Sequence, residues 1–215
     1  MKFLIVSGGD TQDSFVTELI KTGGFDALMA ADSGVDFFYR IHTKPDVIVG
    51  DFDSAESEAL DYFRGFEQIE LCVLNPRKDD TDTEFAIREA IRRGADDITI
   101  AGATGTRIDH VLGNICLLGI GLEKRISICL LDPYNRIRMI DSPLVLQKKD
   151  QYGKYVSLLP YSDQVRGVTL TGFKYPLTDY TMGGFNSLGI SNEITEEEAV
   201  ISLMDGQLLV IESRD

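Results

Sequence analysis

The periodicity of the chain changes once, near residue 133, and this change limits the folds that the sequence can adopt. Before it, short apolar runs typical of buried strands alternate with segments of helical spacing. The predicted strands are residues 3–7, 27–31, 46–49, 98–101 and 126–131, and the predicted helices are residues 13–22, 82–93 and 111–118. Such alternation predicts a mostly parallel sheet with helices on both of its faces.

After Pro133 the sequence predicts strands only. The predicted strands are residues 136–140, 144–148, 155–159, 168–171, 199–204 and 207–212. The pair Asp205-Gly206 indicates a hairpin between the last two of them. We therefore expect an N-terminal α/β domain over residues 1–132, followed by a small antiparallel β-sandwich over residues 133–215.

The charge and the cysteines argue against several kinds of partner and site. A formal net charge of −14 disfavours nucleic acid and anionic membranes as partners, because both bind basic surfaces. Cys72, Cys116 and Cys129 lack metal-binding spacing, so we interpret them as small buried residues in a reduced compartment. The N-terminal apolar run is too short for a signal peptide, and no stretch is long enough to span a membrane. These features predict a cytoplasmic protein.

Aspartates gather where predicted strands end and helices begin. Asp51 and Asp53 form one cluster, Lys78-Asp-Asp-Thr-Asp82 forms a second, and Asp109 belongs to a third. Because the carboxyl ends of strands in an α/β sheet share one crevice, we expect these carboxylates to lie near one another. Carboxylates repel unless cations lie among them, and Mg²⁺ prefers such oxygen ligands together with substrate phosphates. The pattern predicts an enzyme that uses Mg²⁺ and a nucleotide.

Each cluster also has a simpler interpretation. Asp51 and Asp53 are two residues apart and would point the same way in an extended segment, but either could cap the following helix. The acidic residues of the second cluster suit any helix N-terminus. Lys78 beside them favours a phosphate site, because a basic side chain there can bind the phosphate oxygens.

The segment at residues 102–110 follows a predicted strand and opens a predicted helix. Gly102 and Gly105 permit close approach of the backbone to a phosphate, and Arg107 offers a planar pair of donors for phosphate oxygens. The alternative is a plain strand–helix turn that Asp109 caps. The sequence contains neither a Walker A motif nor a kinase glycine-rich loop.

Together these segments resemble the thiamine pyrophosphokinase (thiamine diphosphokinase) family along the whole chain. The resemblance rests on the motifs at residues 31–34, 45–54, 78–82 and 102–110, and on those at residues 156–160, 171–177 and 191–193. It implies a nucleotide-binding α/β domain followed by a thiamine-binding β-sandwich. It also implies a homodimer with active sites at the subunit interface, and transfer of diphosphate from ATP to the thiamine hydroxyl with Mg²⁺.

The resemblance also implies roles for individual residues. Asp51, Asp53 and Asp82 match the metal and catalytic carboxylates, and Arg107 and Asp109 match the phosphate-end arginine and its acidic partner. The positions that match the ATP site are Asp32, Ser33, Lys78, Asp79, Thr81 and Arg107. Ser191 and Asn192 match residues that bind the thiamine pyrimidine. Many relatives have Trp where Tyr175 stands, so Tyr175 is a candidate stacking residue.

Two other functions stay open at this point. One is a diphosphokinase that acts on another alcohol, such as a pterin, with the same N-terminal half. The other is a non-enzymatic sensor of a nucleotide or of thiamine. The number of carboxylates argues against a sensor, because a binding protein has no need to collect so many like charges.

Overall fold

The chain folds into two compact units, Met1–Pro133 and Tyr134–Asp215. The structure is a computed structural model, and it describes residues 1–50, 58–73 and 80–215. No helix within these ranges is long and apolar enough to cross a membrane.

Strands and helices alternate in the N-terminal unit. The strands are β1 (Lys2–Val6), β2 (Ala27–Ala31), β3 (Val47–Gly50), β4 (Glu70–Val73), β5 (Asp97–Ala101) and β6 (Ser127–Leu131). The helices are α1 (Asp13–Thr22), α2 (Gly34–Arg40), α3 (Glu58–Arg64), α4 (Asp82–Arg92) and α5 (Ile108–Lys124).

The strands of this unit form a parallel sheet in the order β6-β5-β1-β2-β3-β4. Strand β1 lies inside the sheet, between β5 and β2, and its residues Phe3, Leu4, Ile5 and Val6 are buried. A parallel strand covered on both faces has such a continuous apolar run. Because the strands are parallel, their carboxyl ends all lie at one edge of the sheet.

Helix α4 begins as the sequence predicts. The Thr81 hydroxyl accepts a hydrogen bond from the backbone N–H of Glu84 at 3.2 Å, which satisfies one of the free donors of the first turn. Ala86, Ile87 and Ala90 form its buried face. Helix α2 was not predicted, although Phe37 and Phe38 are among the most buried side chains of the unit.

The C-terminal unit contains two antiparallel sheets. Its strands are β7 (Asn135–Ile140), β8 (Leu144–Gln147), β9 (Tyr155–Pro160), β10 (Gln164–Thr171), β11 (Leu177–Gly183), β12 (Asn192–Glu193), β13 (Glu198–Ser202) and β14 (Leu208–Ser213). One sheet has the order β12-β9-β14-β7 and the other has the order β11-β10-β13-β8. Side chains from both sheets, such as Val156 and Ile201, share one hydrophobic core. The predicted fold class, a mostly parallel α/β domain followed by a β-sandwich, is confirmed.

Besides the elements that were not predicted, two details of the prediction are wrong. Asp205-Gly206 does not join a hairpin, because β13 pairs with β10 and β8 whereas β14 pairs with β7 and β9. The turn carries the chain from one sheet to the other, and Gly206 adopts φ +101° there. Cys116 is exposed on α5, and Cys72 and Cys129 are only half-buried, so the prediction of three buried cysteines is wrong.

Candidate active site

A cavity of about 630 Å³ lies at the carboxyl edge of the parallel sheet. The loops after β1, β2 and β5 and the first turns of α4 and α5 surround it. Of the predicted site residues, it is lined by Asp32, Thr81, Asp82 and Arg107. These residues are distant in sequence, and the sheet brings them together because their strands end at the same edge.

The loops after β1 and β5 are joined by backbone hydrogen bonds. The N–H of Gly9 donates to the Gly102 carbonyl at 2.8 Å, and the N–H of Asp10 donates to the Thr104 carbonyl at 2.9 Å. A Cβ at residue 9 would lie 2.4 Å from each of these carbonyl oxygens, so only glycine permits this approach. This wall of the cavity is therefore formed by the loops after β1 and β5, which pack closely against each other.

Asp32 follows β2 in the left-handed region, with φ 52°. This conformation is uncommon outside glycine, although Asp adopts it more readily than most residues. The backbone N–H of Asp32 donates to the Val49 carbonyl at 2.9 Å, which fixes the turn into α2. Ser33 is exposed, and its hydroxyl donates to Asp32 Oδ2 at 3.4 Å. The two polar side chains therefore lie side by side at the end of β2.

The start of α4 presents polar groups to the cavity. Thr81, Asp82 and Thr83 all contribute to the wall, and the hydroxyls of Thr83 and Ser7 are 2.9 Å apart. The N-terminus of a helix attracts anions through its free backbone N–H groups. Hard oxygen donors thus lie beside a site suited to phosphate.

Arg107 and Asp109 form a two-point ion pair on the surface. Arg107 Nη2 lies 2.6 Å from Asp109 Oδ2, and Arg107 Nε lies 3.2 Å from Asp109 Oδ1. The hydrogen bond from Arg107 lowers the pKa of Asp109, and that from Asp109 raises the pKa of Arg107. Of the two residues, only Arg107 lines the cavity, and Asp109 contacts its guanidinium group from outside the cavity.

Several predicted site residues lie outside the described ranges. These are Asp51, Asp53, Lys78 and Asp79. Their roles rest on their place in the sequence: Asp51 directly follows β3, and Lys78 and Asp79 lie between β4 and α4. Their assignment to the metal and to ATP stays a prediction.

Asp10 lines the cavity and was missed by the sequence analysis. The pair Gly8-Gly9 after the first predicted strand was weak evidence for a nucleotide site on its own. The signal that could have found Asp10 is its place just after the first predicted strand, which is the place that the predicted acidic clusters have relative to their own strands.

A different acidic group lies on β4 and α4. Among the described residues, Glu70, Cys72 and Glu89 are the set of three acidic or thiol side chains whose ligand atoms lie within 4.8 Å of one another. Arg93 contacts Glu70 and Glu89, each at 2.7 Å, and Arg92 contacts Glu89 at 2.6 Å. These guanidinium groups neutralise the carboxylates, so this cluster is a network of ion pairs and not a metal centre.

The predicted thiamine residues lie in the C-terminal unit. Asn192, on β12, is buried, and Ser191 precedes it with φ 60°. Asn192 Oδ1 accepts hydrogen bonds from the N–H of Tyr175 at 3.0 Å and of Glu193 at 2.9 Å, and Nδ2 donates to the Tyr175 carbonyl at 2.8 Å. The Tyr175 side chain itself is 60% exposed. The amide therefore fixes the backbone that presents this aromatic ring.

The parallel sheet, with a polar cavity between glycine-containing loops and a helix N-terminus, is typical of the class of α/β enzymes that bind nucleotides. Two family models match the chain: thiamin pyrophosphokinase, catalytic domain, over residues 23–130, and thiamin pyrophosphokinase, vitamin B1 binding domain, over residues 143–208. The chain belongs to the thiamine pyrophosphokinase family.

Individual relatives agree with this assignment. A thiamine pyrophosphokinase of Bacillus subtilis is 38% identical over 168 residues, which cover 77% of each chain. A solved structure of thiamine pyrophosphokinase from Bacillus subtilis superposes with a TM-score of 0.87 at 31% identity and covers 100% of both chains. One from Geobacillus thermodenitrificans has a TM-score of 0.85 at 32% identity, with 100% of this chain and 98% of that chain covered.

These matches confirm the predicted family and the predicted enzyme class, an ATP-dependent diphosphotransferase. They also confirm the predicted function, thiamine diphosphokinase, over the alternatives of a pterin-like substrate and a non-enzymatic sensor. ATP and thiamine are accordingly the substrates of the family to which the chain belongs.

Proposed function

We propose that this chain transfers the terminal diphosphate of ATP to the hydroxyl of thiamine at the cavity of the N-terminal unit. The observation that carries the assignment to this cavity is its position at the carboxyl edge of the sheet, where Asp10, Asp32 and Asp82 face the same space as Arg107. The thiamine oxygen attacks the β-phosphorus, and AMP leaves. Positioning and charge stabilisation dominate such phosphoryl transfers.

The donor set fits a magnesium ion. Carboxylates from strand ends, together with the hydroxyls of Thr81 and Thr83, are the oxygen ligands that Mg²⁺ prefers. Asp82 would hold the cation together with Asp51 and Asp53, which follow β3. A bound cation supplies neutralisation of the polyphosphate charge and a fixed arrangement of its oxygens.

The other polar groups of the site have distinct roles in this proposal. Arg107, oriented by Asp109, holds the charge that develops on the transferred group. The ATP residues are Asp32, Ser33, Lys78, Asp79, Thr81 and Arg107. Asp53 or Asp82 could also take the proton of the thiamine hydroxyl. We rank this role below holding the cation, because these transfers need positioning more than base strength.

Thiamine contacts the C-terminal unit through Ser191, Asn192 and Tyr175. The exposed Tyr175 ring supplies a flat apolar surface for an aromatic ligand, and the buried Asn192 amide keeps that ring in place. Among the described residues, the three backbone bonds of Asn192 leave one of its amide hydrogens without a partner, and we assign this hydrogen to the substrate.

The protein is a cytoplasmic homodimer with shared active sites in this proposal. The C-terminal unit exposes several large apolar side chains after β10, and their clustering in sequence favours a surface that a second subunit covers. They are Tyr180, Phe185, Leu188 and Ile190.

The decisive experiment is incubation of the purified protein with ATP, Mg²⁺ and thiamine. We expect AMP and thiamine diphosphate in equal amounts. A pterin alcohol offered in place of thiamine tests the alternative substrate. AMP formation with the pterin but not with thiamine would reassign the substrate, and binding of both ligands without AMP would indicate a sensor.

A further inference from the structure

Hydrogen bonds from two sides hold the loop that leads from β5 to Arg107. The inner side is the pair of backbone bonds from Gly9 and Asp10. On the other side, the Asn114 side chain donates through Nδ2 to the Ala103 carbonyl at 2.8 Å, and the Thr104 hydroxyl donates to Asp132 Oδ2 at 2.9 Å. Ala103 and Thr104, two consecutive residues of the loop, are thus each hydrogen-bonded to a side chain from a different part of the fold.

Asp132 is an unusual residue to find at this place. It directly follows β6 and is 8% exposed. Burial of a carboxylate is unfavourable unless hydrogen bonds offset it, and a hydroxyl that donates to a carboxylate forms one of the stronger hydrogen bonds in proteins. This contact therefore fixes the Thr104 side chain firmly.

Asn114 acts from one and a half turns inside α5, and it also lines the cavity. Its amide carries the only donor that the described structure places on the Ala103 carbonyl. Gly102, just before, has φ +67°, so the backbone turns sharply there and relies on these contacts to continue in one direction. A change at either side chain would displace the loop without removing any group that contacts ATP in the proposal above.

We propose that Asn114 and Asp132 are positioning residues for the diphosphate transfer, which hold residues 103 and 104 so that the loop presents Arg107 to the phosphates of ATP. The inference rests on the proposed function of the cavity. It assigns neither residue a contact with the reacting atoms.

Three variants and one control test the inference. Asn114→Leu keeps about the size of the side chain and adds no charge to the cavity but cannot donate to the Ala103 carbonyl, and Thr104→Val removes the hydroxyl that binds Asp132. Thr104→Ser restores the hydroxyl. Thr22→Val is the matched control, because the Thr22 hydroxyl donates at 2.8 Å to the Glu18 carbonyl at the far end of α1.

We expect Asn114→Leu and Thr104→Val each to lower kcat/KM for ATP by roughly tenfold to a hundredfold, as a small misplacement of a binding group does. The KM for thiamine should change much less. Thr104→Ser should recover most of the activity, and Thr22→Val should match the unaltered protein. Thermal unfolding of every variant separates lost positioning from lost folding.

The inference is overturned if Asn114→Leu and Thr104→Val keep the kcat/KM of Thr22→Val, or if their losses follow the unfolding temperature and affect both substrates equally. If one of them does not fold, the other decides the question. Failure of the unaltered protein to form thiamine diphosphate would instead refute the proposed function.

Discussion

The side chain of Asn192 binds the backbone of Tyr175 at two points, as a neighbouring strand would. Its Oδ1 accepts the Tyr175 N–H at 3.0 Å and its Nδ2 donates to the Tyr175 carbonyl at 2.8 Å. Adjacent backbone bonds continue the same ladder, since the N–H of Lys174 donates to the Glu193 carbonyl at 2.9 Å. The Asn192 amide thus takes the place of a further backbone pair beside β12, and it fixes the backbone of Tyr175, whose ring is exposed.

Replacing Asn192 with Ala should therefore affect both stability and thiamine binding. The loss of buried hydrogen bonds should lower the free energy of unfolding by about 1–3 kcal/mol. The KM for thiamine should rise, whereas the KM for ATP should barely move. Tyr175→Ala should raise the KM for thiamine without this loss of stability, and Tyr175→Phe is the control that keeps the ring. A rise in the KM for ATP alone would show that these residues serve the nucleotide.

Activity should require a divalent cation and the carboxylate of Asp82. Asp82→Asn keeps the shape of the side chain but removes its charge, and we expect a loss of roughly a hundredfold in kcat, typical of preorganised charged groups. Asp51→Asn and Asp53→Asn should behave alike. Asp61→Asn, on the exposed surface of α3, is the control. Full turnover after removal of cations with EDTA, or by Asp82→Asn in a folded state, would exclude the metal assignment.

Acid should destabilise the C-terminal unit through Glu212. This carboxylate is 0% exposed. Its burial raises its pKa, but the hydrogen bond from Arg136, the charge of Arg138 and the N–H of Tyr152 outweigh that effect, so the pKa is lowered overall. A lowered pKa in the folded state stabilises the protein above the ordinary carboxylate pKa, and this stabilisation is lost as the pH falls through the folded value.

The test is urea unfolding between pH 7 and pH 3. Glu212→Gln should cost on the order of 3 kcal/mol at pH 7, because it leaves two half-buried guanidinium groups without their buried counter-charge, and should flatten the dependence on acid. Glu198→Gln, at an exposed carboxylate, is the matched control. Equal acid sensitivity of Glu212→Gln and the unaltered protein would assign the effect to other carboxylates.

Mixed dimers should show whether the active site is shared. An inactive Asp53→Asn subunit and an inactive subunit with Ser191→Ala and Asn192→Ala are mixed, and each is also assayed alone. If one site combines the acidic cluster of one chain with the thiamine residues of the other, heterodimers regain activity. Verified heterodimers without activity would place each site within one chain, and a monomer in light scattering would refute the dimer.

The fold class was predictable because buried parallel strands appear in the sequence as apolar runs. The pairing of the strands was not predictable. Strand β11 was missed because it is the edge of its sheet and most of its side chains are exposed, which removes the alternating pattern. The pair Asp205-Gly206 was enough to predict that the chain turns there. Its role in joining two sheets depends on pairing with β7, β9 and β10, about which a local pattern carries no information.

The candidate site was predictable in part for the same reason. Asp32, Thr81, Asp82 and Arg107 line one cavity because strand ends in an α/β sheet converge, and that rule needs only the order of elements. The environment of Asn192 could not be inferred, because its partner Tyr175 lies on a separate segment. A side chain that binds backbone and one that binds substrate look alike in a sequence.

The internal position of β1 has a consequence for how the protein is made. One neighbour, β2, follows within a few dozen residues, but the other, β5, is translated much later. On the ribosome, β1 therefore has one paired edge and one edge of unpaired backbone N–H and C=O groups until residues 97–101 emerge, and its side chains are apolar. Contacts between residues so far apart in sequence form slowly, so this interval is when the nascent chain most needs protection by a chaperone.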